Sequence, residues 1–198
     1  MKKLKYLLIA GAICVFLYFT LPNGNADRHK EHVLAERAKK EDYLRLNSES
    51  PFVKEGKQFD KLSYFPINID YRVSATVERI EKRQVVMVGN SDGSVARYLK
   101  YAWLHFKLNG KELKLVVLKQ QFGVGYFLGF TDITSGEQSY GGGRYLDVSA
   151  IKGDRIELDF NLAYNPYCAY SSSFQCPLPP KENRLDVVVE AGEKDYLK

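Results

Sequence analysis

Two cysteines in the second half of the chain, Cys168 and Cys176, are the residue type best suited to covalent chemistry. A cysteine nucleophile needs a nearby base to form its thiolate at neutral pH, and no histidine lies close to either cysteine in sequence. In an exported protein, two cysteines eight residues apart in a loop-rich stretch are first of all candidates for a disulfide. The sequence therefore makes Cys168 and Cys176 disulfide candidates.

Residues 140–145, YGGGRY, raise the question of a phosphate-binding loop. Such a loop needs a helix after its glycines, because backbone N–H groups and the helix dipole together hold the anion. Here the following residues, GRYLDVSAI, alternate like a strand and are followed by KGD. The glycines are therefore expected to provide positive φ angles and close approach at the start of a strand. Anion binding by this loop, with Arg144 as the charged partner, is the alternative.

Asp159 and Glu182 are the carboxylates that could act as a general base. Arg144 would then stabilise a developing anion, and the reaction would be a hydrolysis. No serine lies in a G-x-S-x-G sequence. The catalytic candidates are thus Asp159, Glu182 and Arg144, without a motif that defines a reaction.

The three histidines do not form a metal motif. His29, His32 and Glu36 share a helical face, but their spacing is one residue short of the inverted zincin pattern, and a charged helix collects such residues on its solvated face. His105 falls on the polar side of a predicted strand and is expected at the surface. We expect no metal and no cofactor.

Residues 158–183, LDFNLAYNPYCAYSSSFQCPLPPKEN, are too long and too aromatic for a simple connection. The plain interpretation is a loop stapled by its two cysteines and folded over one opening of the domain. The functional interpretation makes the loop a pocket wall, where tyrosine rings provide apolar area and asparagine and arginine side chains orient a ligand. The two interpretations are compatible.

After Pro66 the sequence shows mainly strand patterns. The predicted strands must position the candidate residues named above. QVVMV and SVARYLKYAWLHFKL flank the turn GNSDG, and the second run meets KELKLVVLKQ across Asn109 and Gly110, a strong hairpin signal. A third hairpin is expected at KGD, between GRYLDVSAI and RIELDFNL, and RLDVVVEA is expected to be the last strand. About eight strands predict a mainly β fold, an antiparallel meander closed into a barrel or folded into a sandwich.

An α-helix is predicted before the β-rich part. Residues 27–46, DRHKEHVLAERAKKEDYLRL, contain no glycine or proline and favour a helix. Apolar residues lie among the charges, so this amphipathic helix is either a stalk or a helix laid on the domain. Pro51 stops it, and the β-rich globular domain is assigned to residues 47–198.

Residues 1–21 are predicted to be a signal anchor or a signal peptide. Lys2, Lys3 and Lys5 precede an uncharged run, residues 6–21, and the positive-inside rule keeps these lysines in the cytoplasm. The globular domain would then lie outside the cytoplasm on a single-pass anchor in the cell membrane. Cleavage near Ala26 is the alternative, and it would give a secreted or periplasmic protein.

Composition narrows the class of partner. The 198 residues are 45% hydrophobic, which suits one globular domain with an appendage. The net charge of +5 includes three lysines among the first five residues, so the rest of the chain is only mildly basic. Nucleic acid is therefore not an expected partner.

Three segments carry a resemblance to a known family. FTDITSGEQSYGGGRYLDV, LDFNLAYNPYCAY and CPLPPKENRLDVVVEAGE resemble, in order and spacing, an uncharacterised bacterial family classed as a domain of unknown function. The resemblance covers residues 48–193, and proteins of that family are commonly exported or lipid-anchored. The sequence departs from the family at Tyr167, where many relatives have proline, and at Cys14, whose apolar neighbours do not suit a lipid acceptor.

The resemblance implies no particular activity, but it marks positions that match the family motifs. These site candidates are Asp132, Gly141, Gly142, Arg144, Tyr145, Asp159, Asn161, Tyr164, Asn165, Cys168, Tyr170, Cys176, Glu182 and Asn183.

The function that fits these observations is a membrane-tethered, extracytoplasmic binding module. Its expected partners are the membrane, through the N-terminal segment, and an unknown small molecule or envelope protein. A hydrolase is the alternative. The candidates for ligand binding are Arg144, Tyr145, Asn161, Tyr164, Asn165, Tyr170 and Asn183.

Overall fold

The structure is a computed structural model that describes residues 24–121, 125–148 and 151–196. The predicted membrane segment, residues 1–21, lies outside these ranges. Two α-helices are found in the described ranges, α1 (Gly24–Leu46) and α2 (Pro51–Lys54). No helix of the described chain combines the length and the apolar character needed to cross a membrane.

Seven strands follow the helices in the described residues, and all of their pairings are antiparallel. Five of them form one sheet in the order β4-β3-β2-β1-β7, and β5 pairs with β6 in a small second sheet. The strands are β1 (Arg72–Gly89), β2 (Val95–Leu108), β3 (Lys111–Gln120), β4 (Tyr126–Phe127), β5 (Gly129–Phe130), β6 (Arg144–Tyr145) and β7 (Arg155–Asp159). Short 3-10 helices lie at Ile69–Tyr71, Phe160–Leu162, Tyr167–Ala169 and Lys181–Asn183.

The first two predicted hairpins are confirmed. Gly89 pairs with Val95 across the GNSDG turn. At the second turn, Asn109 and Gly110 have φ angles of 51° and 77°. Positive φ at both central residues is what a two-residue hairpin loop matching the strand twist requires. The mainly β, antiparallel prediction therefore holds for the central sheet.

Of the two arrangements expected, a barrel or a sandwich, the closed barrel is not formed by the described strands. Within the described residues the large sheet is open, with β4 and β7 at its two edges. Strand β4 has only two residues, and the chain then leaves this sheet to form β5. A strand this short cannot carry the ladder of hydrogen bonds that closure needs.

One predicted hairpin and one predicted strand are also wrong. The KGD hairpin does not form, because β6 pairs with β5 while β7 pairs with β1. The segment RLDVVVEA is not a strand, although it runs beside residues 131–133. The backbone N–H of Leu185 donates to the Thr131 carbonyl at 2.8 Å, whereas that of Val189 donates to a carboxylate oxygen of Asp132 at 2.9 Å. The Asp132 carboxylate thus accepts the Val189 backbone N–H, where a β-strand would provide a backbone carbonyl.

The main core lies on one face of the sheet. Along β2, Ala102, Leu104 and Phe106 are buried, and the alternating residues Trp103 and His105 face the other side. The C-terminal segment 184–191 covers the buried face, and its Leu185, Val187, Val189 and Ala191 belong to the same core cluster.

Helix α1 packs on this β structure. Val33 and Leu44 on α1 are completely buried. Leu44 contacts a second apolar cluster that includes Phe52 and Phe59, after the helix, and Tyr170, near the two cysteines. The helix is therefore laid on the domain and forms one wall of the site described next.

Candidate functional site

A cavity of about 740 Å³ lies between helix α1 and the chain that follows β6 and β7. We call it the α1 pocket. Its volume falls within the range of about 300–1,000 Å³ that is typical of small-molecule sites. Its lining residues come from α1, from residues 145–147, 157–159, 161–167 and 174–176, and from the single positions Tyr64 and Glu193.

The spacing of residues along α1 explains how charged side chains reach the pocket. His29, Val33, Arg37, Lys40 and Leu44 follow one another by three or four positions, which places them on one face of a helix. His29, Val33 and Leu44 are buried against the domain. Arg37 and Lys40 lie between Val33 and Leu44 on that face, so both cations point toward the β structure.

Lys40 forms an ion pair with Glu193. The two charged atoms, Nζ and Oε1, are 2.6 Å apart, and the Glu193 side chain is only 1% exposed. The ammonium also lies 4.2 Å from the centre of the Tyr164 ring, a favourable cation–π distance. Burial lowers the pKa of Lys40, and the charge of Glu193 acts in the opposite direction.

Glu193 reaches this position because the chain turns sharply at Gly192. Gly192 has a φ of +78°, and a Cβ there would lie 2.5 Å from the carbonyl oxygen of Ala163. The second oxygen of Glu193, Oε2, accepts the Asn165 backbone N–H at 2.9 Å and the Tyr170 hydroxyl at 2.6 Å. The carboxylate is therefore fixed by its neighbours on one side and by Lys40 on the other.

Arg37 stacks on the ring of Tyr64, with 4.3 Å between its guanidinium carbon and the ring centre. Its terminal nitrogens donate to the backbone carbonyls of Phe65 and Asn161, at 3.2–3.4 Å. Burial lowers the pKa of Arg37 and raises the pKa of Tyr64. Both groups therefore sit in a weakly solvated part of the pocket wall.

Unused hydrogen-bonding capacity is concentrated at this pocket. Seven buried side-chain nitrogen and oxygen atoms make no well-oriented hydrogen bond within the described part of the chain, and five of these atoms belong to residues lining the α1 pocket. Lys40 Nζ and Glu193 Oε1 at least face each other as an ion pair. The five atoms are Arg37 Nε, Lys40 Nζ, Tyr64 Oη, Asn165 Oδ1 and Glu193 Oε1. A buried polar group left unpaired costs about 1–3 kcal/mol, so such a concentration marks a surface suited to a polar ligand.

Asp159 lines the pocket, but its oxygens are already engaged. Oδ2 lies 2.6 Å from Nε2 of His29, whose side chain is buried rather than on a solvated face. Oδ1 accepts the backbone N–H and the side-chain amide of Asn161, at 3.0 and 2.9 Å. Asp159 therefore anchors α1 to the end of β7, and both of its oxygens take part in that anchoring.

Arg144 is placed in the core and does not line the α1 pocket. Its terminal nitrogens donate to Asp132 Oδ1 at 3.0 Å, to the Val189 carbonyl at 2.9 Å and to the Ala191 carbonyl. The side chain has no exposed surface. The ligand-anchoring and anion-stabilising roles expected for Arg144 do not agree with this position, because its guanidinium holds the C-terminal segment.

Gly143, directly before Arg144, allows the chain to pack closely at this point. Gly143 has a φ of +87°, and a Cβ there would lie 2.6 Å from the Phe130 carbonyl oxygen and 2.6 Å from the Pro179 ring. No helix follows, since Arg144 and Tyr145 form strand β6. The expectation of positive φ and close approach at the start of a strand is confirmed.

Two further candidates also lie away from the pocket. Asn183 is fully buried and exchanges two hydrogen bonds with the backbone of Val116, at 2.7 and 2.9 Å. Glu182 pairs with Lys100 at 2.7 Å near the surface. The proposed hydrolytic group of Asp159, Glu182 and Arg144 is therefore not assembled in one pocket.

Several sequence-predicted residues are brought together at the α1 pocket. Tyr145, Asn161, Tyr164 and Asn165 all line it, and Tyr170 reaches it only through Glu193. Asn161 is committed to structure, because its side-chain amide bonds the backbone of Asn68 in both directions, at 2.8 and 3.0 Å.

Half of the residues that sequence reasoning missed are on α1. Four of the five pocket atoms without a well-oriented hydrogen bond belong to Arg37, Lys40, Tyr64 and Glu193, and none of these residues was a site candidate. Arg37 and Lys40 could have been found from helical spacing, because they lie on the same helix face as His29, Val33 and Leu44. A charge on the buried face of a helix needs a partner inside the protein.

The two cysteines are present as free thiols. The disulfide considered from the sequence is not formed in the structure. The backbone N–H of Cys168 donates to the sulfur of Cys176 at 3.1 Å, and Cys176 also lines the α1 pocket. No group of three or more potential metal ligands occurs in the ranges that the structure covers.

The fold and the pocket define a mainly antiparallel β domain whose small-molecule-sized cavity is lined on one side by a helix. Residues 57–194 match the family described as "Protein of unknown function (DUF1684)". The chain belongs to this DUF1684 family.

One solved structure is similar over almost its whole length. It is the solution NMR structure of an uncharacterised protein of Haloarcula marismortui, with 38% sequence identity and a TM-score of 0.67. The match covers 89% of this chain and 99% of that one. No curated protein matches the sequence.

Proposed function

We propose that this protein is a binding module for a small polar molecule, which it holds in the α1 pocket. The observation that carries the proposal is the concentration of buried polar atoms without a well-oriented hydrogen bond on residues lining that pocket. They are five of the seven such atoms in the described chain, and two of the five face each other in the Lys40–Glu193 ion pair. Native proteins leave few buried polar groups unpaired, and those that remain are commonly functional. A ligand that bonds to these groups would recover part of their desolvation cost.

The side chains of the pocket indicate the chemistry of the ligand. Arg37, Lys40 and Tyr64 offer donors, and Asn165 and Glu193 offer acceptors. Aromatic rings provide flat apolar area beside these polar groups. The rings that line the pocket are those of Tyr43, Tyr64, Tyr145, Tyr164, Tyr167 and Phe174. The ligand is therefore a small molecule that carries both donors and acceptors together with a flat or apolar face.

We also propose that the module is tethered to the cell membrane, outside the cytoplasm. This proposal rests on the sequence, in which Lys2, Lys3 and Lys5 precede an uncharged run at residues 6–21. The tether would keep the α1 pocket close to the membrane surface, where small molecules and envelope proteins pass.

The binding proposal can be tested by filling the pocket. Leu162 lines the pocket and is partly exposed, so Leu162→Trp adds volume inside it without removing a hydrogen-bonding group. Leu46→Trp is the matched control, because Leu46 is 74% exposed and does not line the pocket. The melting temperature of the full chain is measured with and without a panel of amino acids, sugars, nucleosides and organic acids.

We expect at least one of these compounds to raise the melting temperature of the natural protein and of Leu46→Trp, but not of Leu162→Trp. The proposal fails if no compound in the panel shifts the natural protein, or if the shift persists in Leu162→Trp.

A further inference from the structure

The pair Cys168 and Cys176 has features that neither pocket binding nor a structural staple requires. We propose that these residues form a redox-active dithiol that exchanges with small disulfides, with Cys168 as the attacking thiol and Cys176 as the resolving thiol. The substrate class is a low-molecular-weight disulfide of the oxidised-glutathione type. This activity goes beyond the proposed binding function and does not depend on it.

The two cysteines are held next to each other. The Cys168 backbone N–H reaches the Cys176 sulfur at 3.1 Å, and the thiols also interact through their side chains. The Tyr140 hydroxyl donates to the sulfur of Cys168 at 3.7 Å. The sulfur of Cys168 thus has a hydroxyl donor, that of Tyr140, which stabilises its thiolate form.

The chain on both sides of the pair is anchored. Cys168 lies in the 3-10 helix Tyr167–Ala169. Cys176 exchanges two hydrogen bonds with Ser91, whose backbone N–H donates to its carbonyl at 2.9 Å and whose hydroxyl accepts its backbone N–H at 3.1 Å. The backbone around both cysteines is therefore already fixed. Forming a disulfide between them would cost little additional conformational entropy.

The environments of the two sulfurs differ in the way that this exchange needs. Cys168 is partly exposed, whereas Cys176 is buried, at 7%. The hydrogen bond from Cys176, together with bonds from Tyr140 and Ser91, lowers the pKa of Cys168 to about 6. The same bond raises the pKa of Cys176. An accessible thiolate beside a buried protonated thiol is the arrangement of an attacking and a resolving cysteine.

The proposed exchange balances as two displacements. The Cys168 thiolate attacks one sulfur of a small disulfide, RSSR, forms a Cys168–SR mixed disulfide and releases RS⁻. The RS⁻ takes the proton of the Cys176 thiol and leaves as RSH. The Cys176 thiolate then attacks the Cys168 sulfur, forms the Cys168–Cys176 disulfide and releases a second RS⁻. The second RS⁻ takes up the proton that Cys168 had released to solvent when it ionised, so RSSR becomes two thiols. The protein loses two electrons and two hydrogens in total.

A rate comparison at pH 6 separates this chemistry from ordinary thiol reactivity. At that pH about half of a thiol with a pKa of about 6 is ionised, against about 0.3% for an ordinary thiol with a pKa of about 8.5. The lower nucleophilicity of the more acidic thiolate removes roughly a tenfold part of this advantage. A net advantage of about tenfold remains for Cys168.

The experiment uses the full chain carrying Cys14→Ser, so that Cys168 and Cys176 are its only thiols. The reduced protein is mixed with oxidised glutathione at pH 6 and followed by intact mass spectrometry. We expect it to become lighter by two hydrogens. We expect Cys176→Ser to stop at one bound glutathione, because serine keeps a donor toward Cys168 but cannot resolve the mixed disulfide. We expect Cys168→Ser to react at least about tenfold more slowly than Cys176→Ser.

Tyr140→Phe tests the environment of Cys168 rather than the sulfurs themselves. It removes a hydroxyl that donates to Cys168. We expect the first step to slow several-fold with an unchanged melting temperature. The proposal is overturned if the two single-cysteine variants react at equal rates, or if the protein with both cysteines accumulates glutathione adducts without closing the internal disulfide.

Discussion

Arg144–Asp132 and Lys40–Glu193 are both buried pairs of a cation and a carboxylate, but their surroundings differ. Asp132 accepts hydrogen bonds on both oxygens, from Arg144 and Thr134 on Oδ1 and from Thr134 and Val189 on Oδ2. All four terminal N–H groups of Arg144 face acceptors of the protein, and only its Nε lacks one in the described chain. This pair is built into the framework.

The pair at the pocket is only partly bonded. Glu193 uses Oε2 for two hydrogen bonds, while Oε1 faces only Lys40 among the described residues. The Lys40 ammonium carries three hydrogens and has one carboxylate oxygen within reach. The comparison teaches that a motif arginine beside three glycines can be structural, whereas an unremarkable helical lysine can carry the binding capacity.

Arg144→Met should give the largest effect. It leaves the Asp132 carboxylate buried without its cation and frees three backbone carbonyls of the C-terminal segment. Removing one partner of a buried pair typically costs about 3–5 kcal/mol, and we expect a loss of this size in the free energy of unfolding measured by urea titration. Arg72→Met, in a surface pair with Glu157, is the control and should lose no more than about 1 kcal/mol. Equal losses in both variants would contradict a framework role for Arg144.

Lys40→Met should give an intermediate effect. Glu193 keeps its bonds from Tyr170 and Asn165, so we expect a loss of about 1–3 kcal/mol in the same urea titration. Lys39→Met is the matched control, because the Lys39 side chain is 72% exposed, and it should change stability by no more than about 0.5 kcal/mol. A loss as large as that of Arg144→Met would show that both pairs belong to the framework and would remove the contrast.

Tyr64→Phe should give the smallest effect. Its hydroxyl has no hydrogen-bond partner among the described residues, so its removal should change the free energy of unfolding by no more than about 0.5 kcal/mol. Tyr170→Phe is the comparison variant, because it removes a 2.6 Å bond to Glu193 and should lose about 1–2 kcal/mol. We also expect Tyr64→Phe to weaken any compound found by the thermal screen. A destabilisation above that of Tyr170→Phe would mean that the Tyr64 hydroxyl is structural.

Local patterns predicted the central sheet well. Alternation along residues 95–108 and the Asn109-Gly110 turn define strands and a hairpin through interactions between near neighbours. The segment RLDVVVEA has the same alternation, with Leu185, Val187 and Val189 buried, but it is not a strand. Its neighbours are the Arg144 guanidinium and the Asp132 carboxylate, more than 40 residues away in sequence. Strand propensity does not reveal such partners.

The site was predicted only on one side. The aromatic residues after β7 indicated a pocket wall, and Tyr145, Tyr164 and Asn165 line the α1 pocket. The opposite wall was missed because Arg37 and Lys40 look like solvated residues of a charged helix. Their burial depends on Tyr64 and Glu193, whose positions follow from the tertiary fold and not from helical spacing.

The pairing of Lys40 with Glu193 also has a consequence for the order of biosynthesis. Lys40 leaves the ribosome 153 residues before Glu193. At about 5–20 residues per second, Lys40 leaves the ribosome roughly 8–30 s before the carboxylate that pairs with it. The side of the pocket that depends on the Lys40–Glu193 pair can therefore form only after nearly the whole described chain has been synthesised.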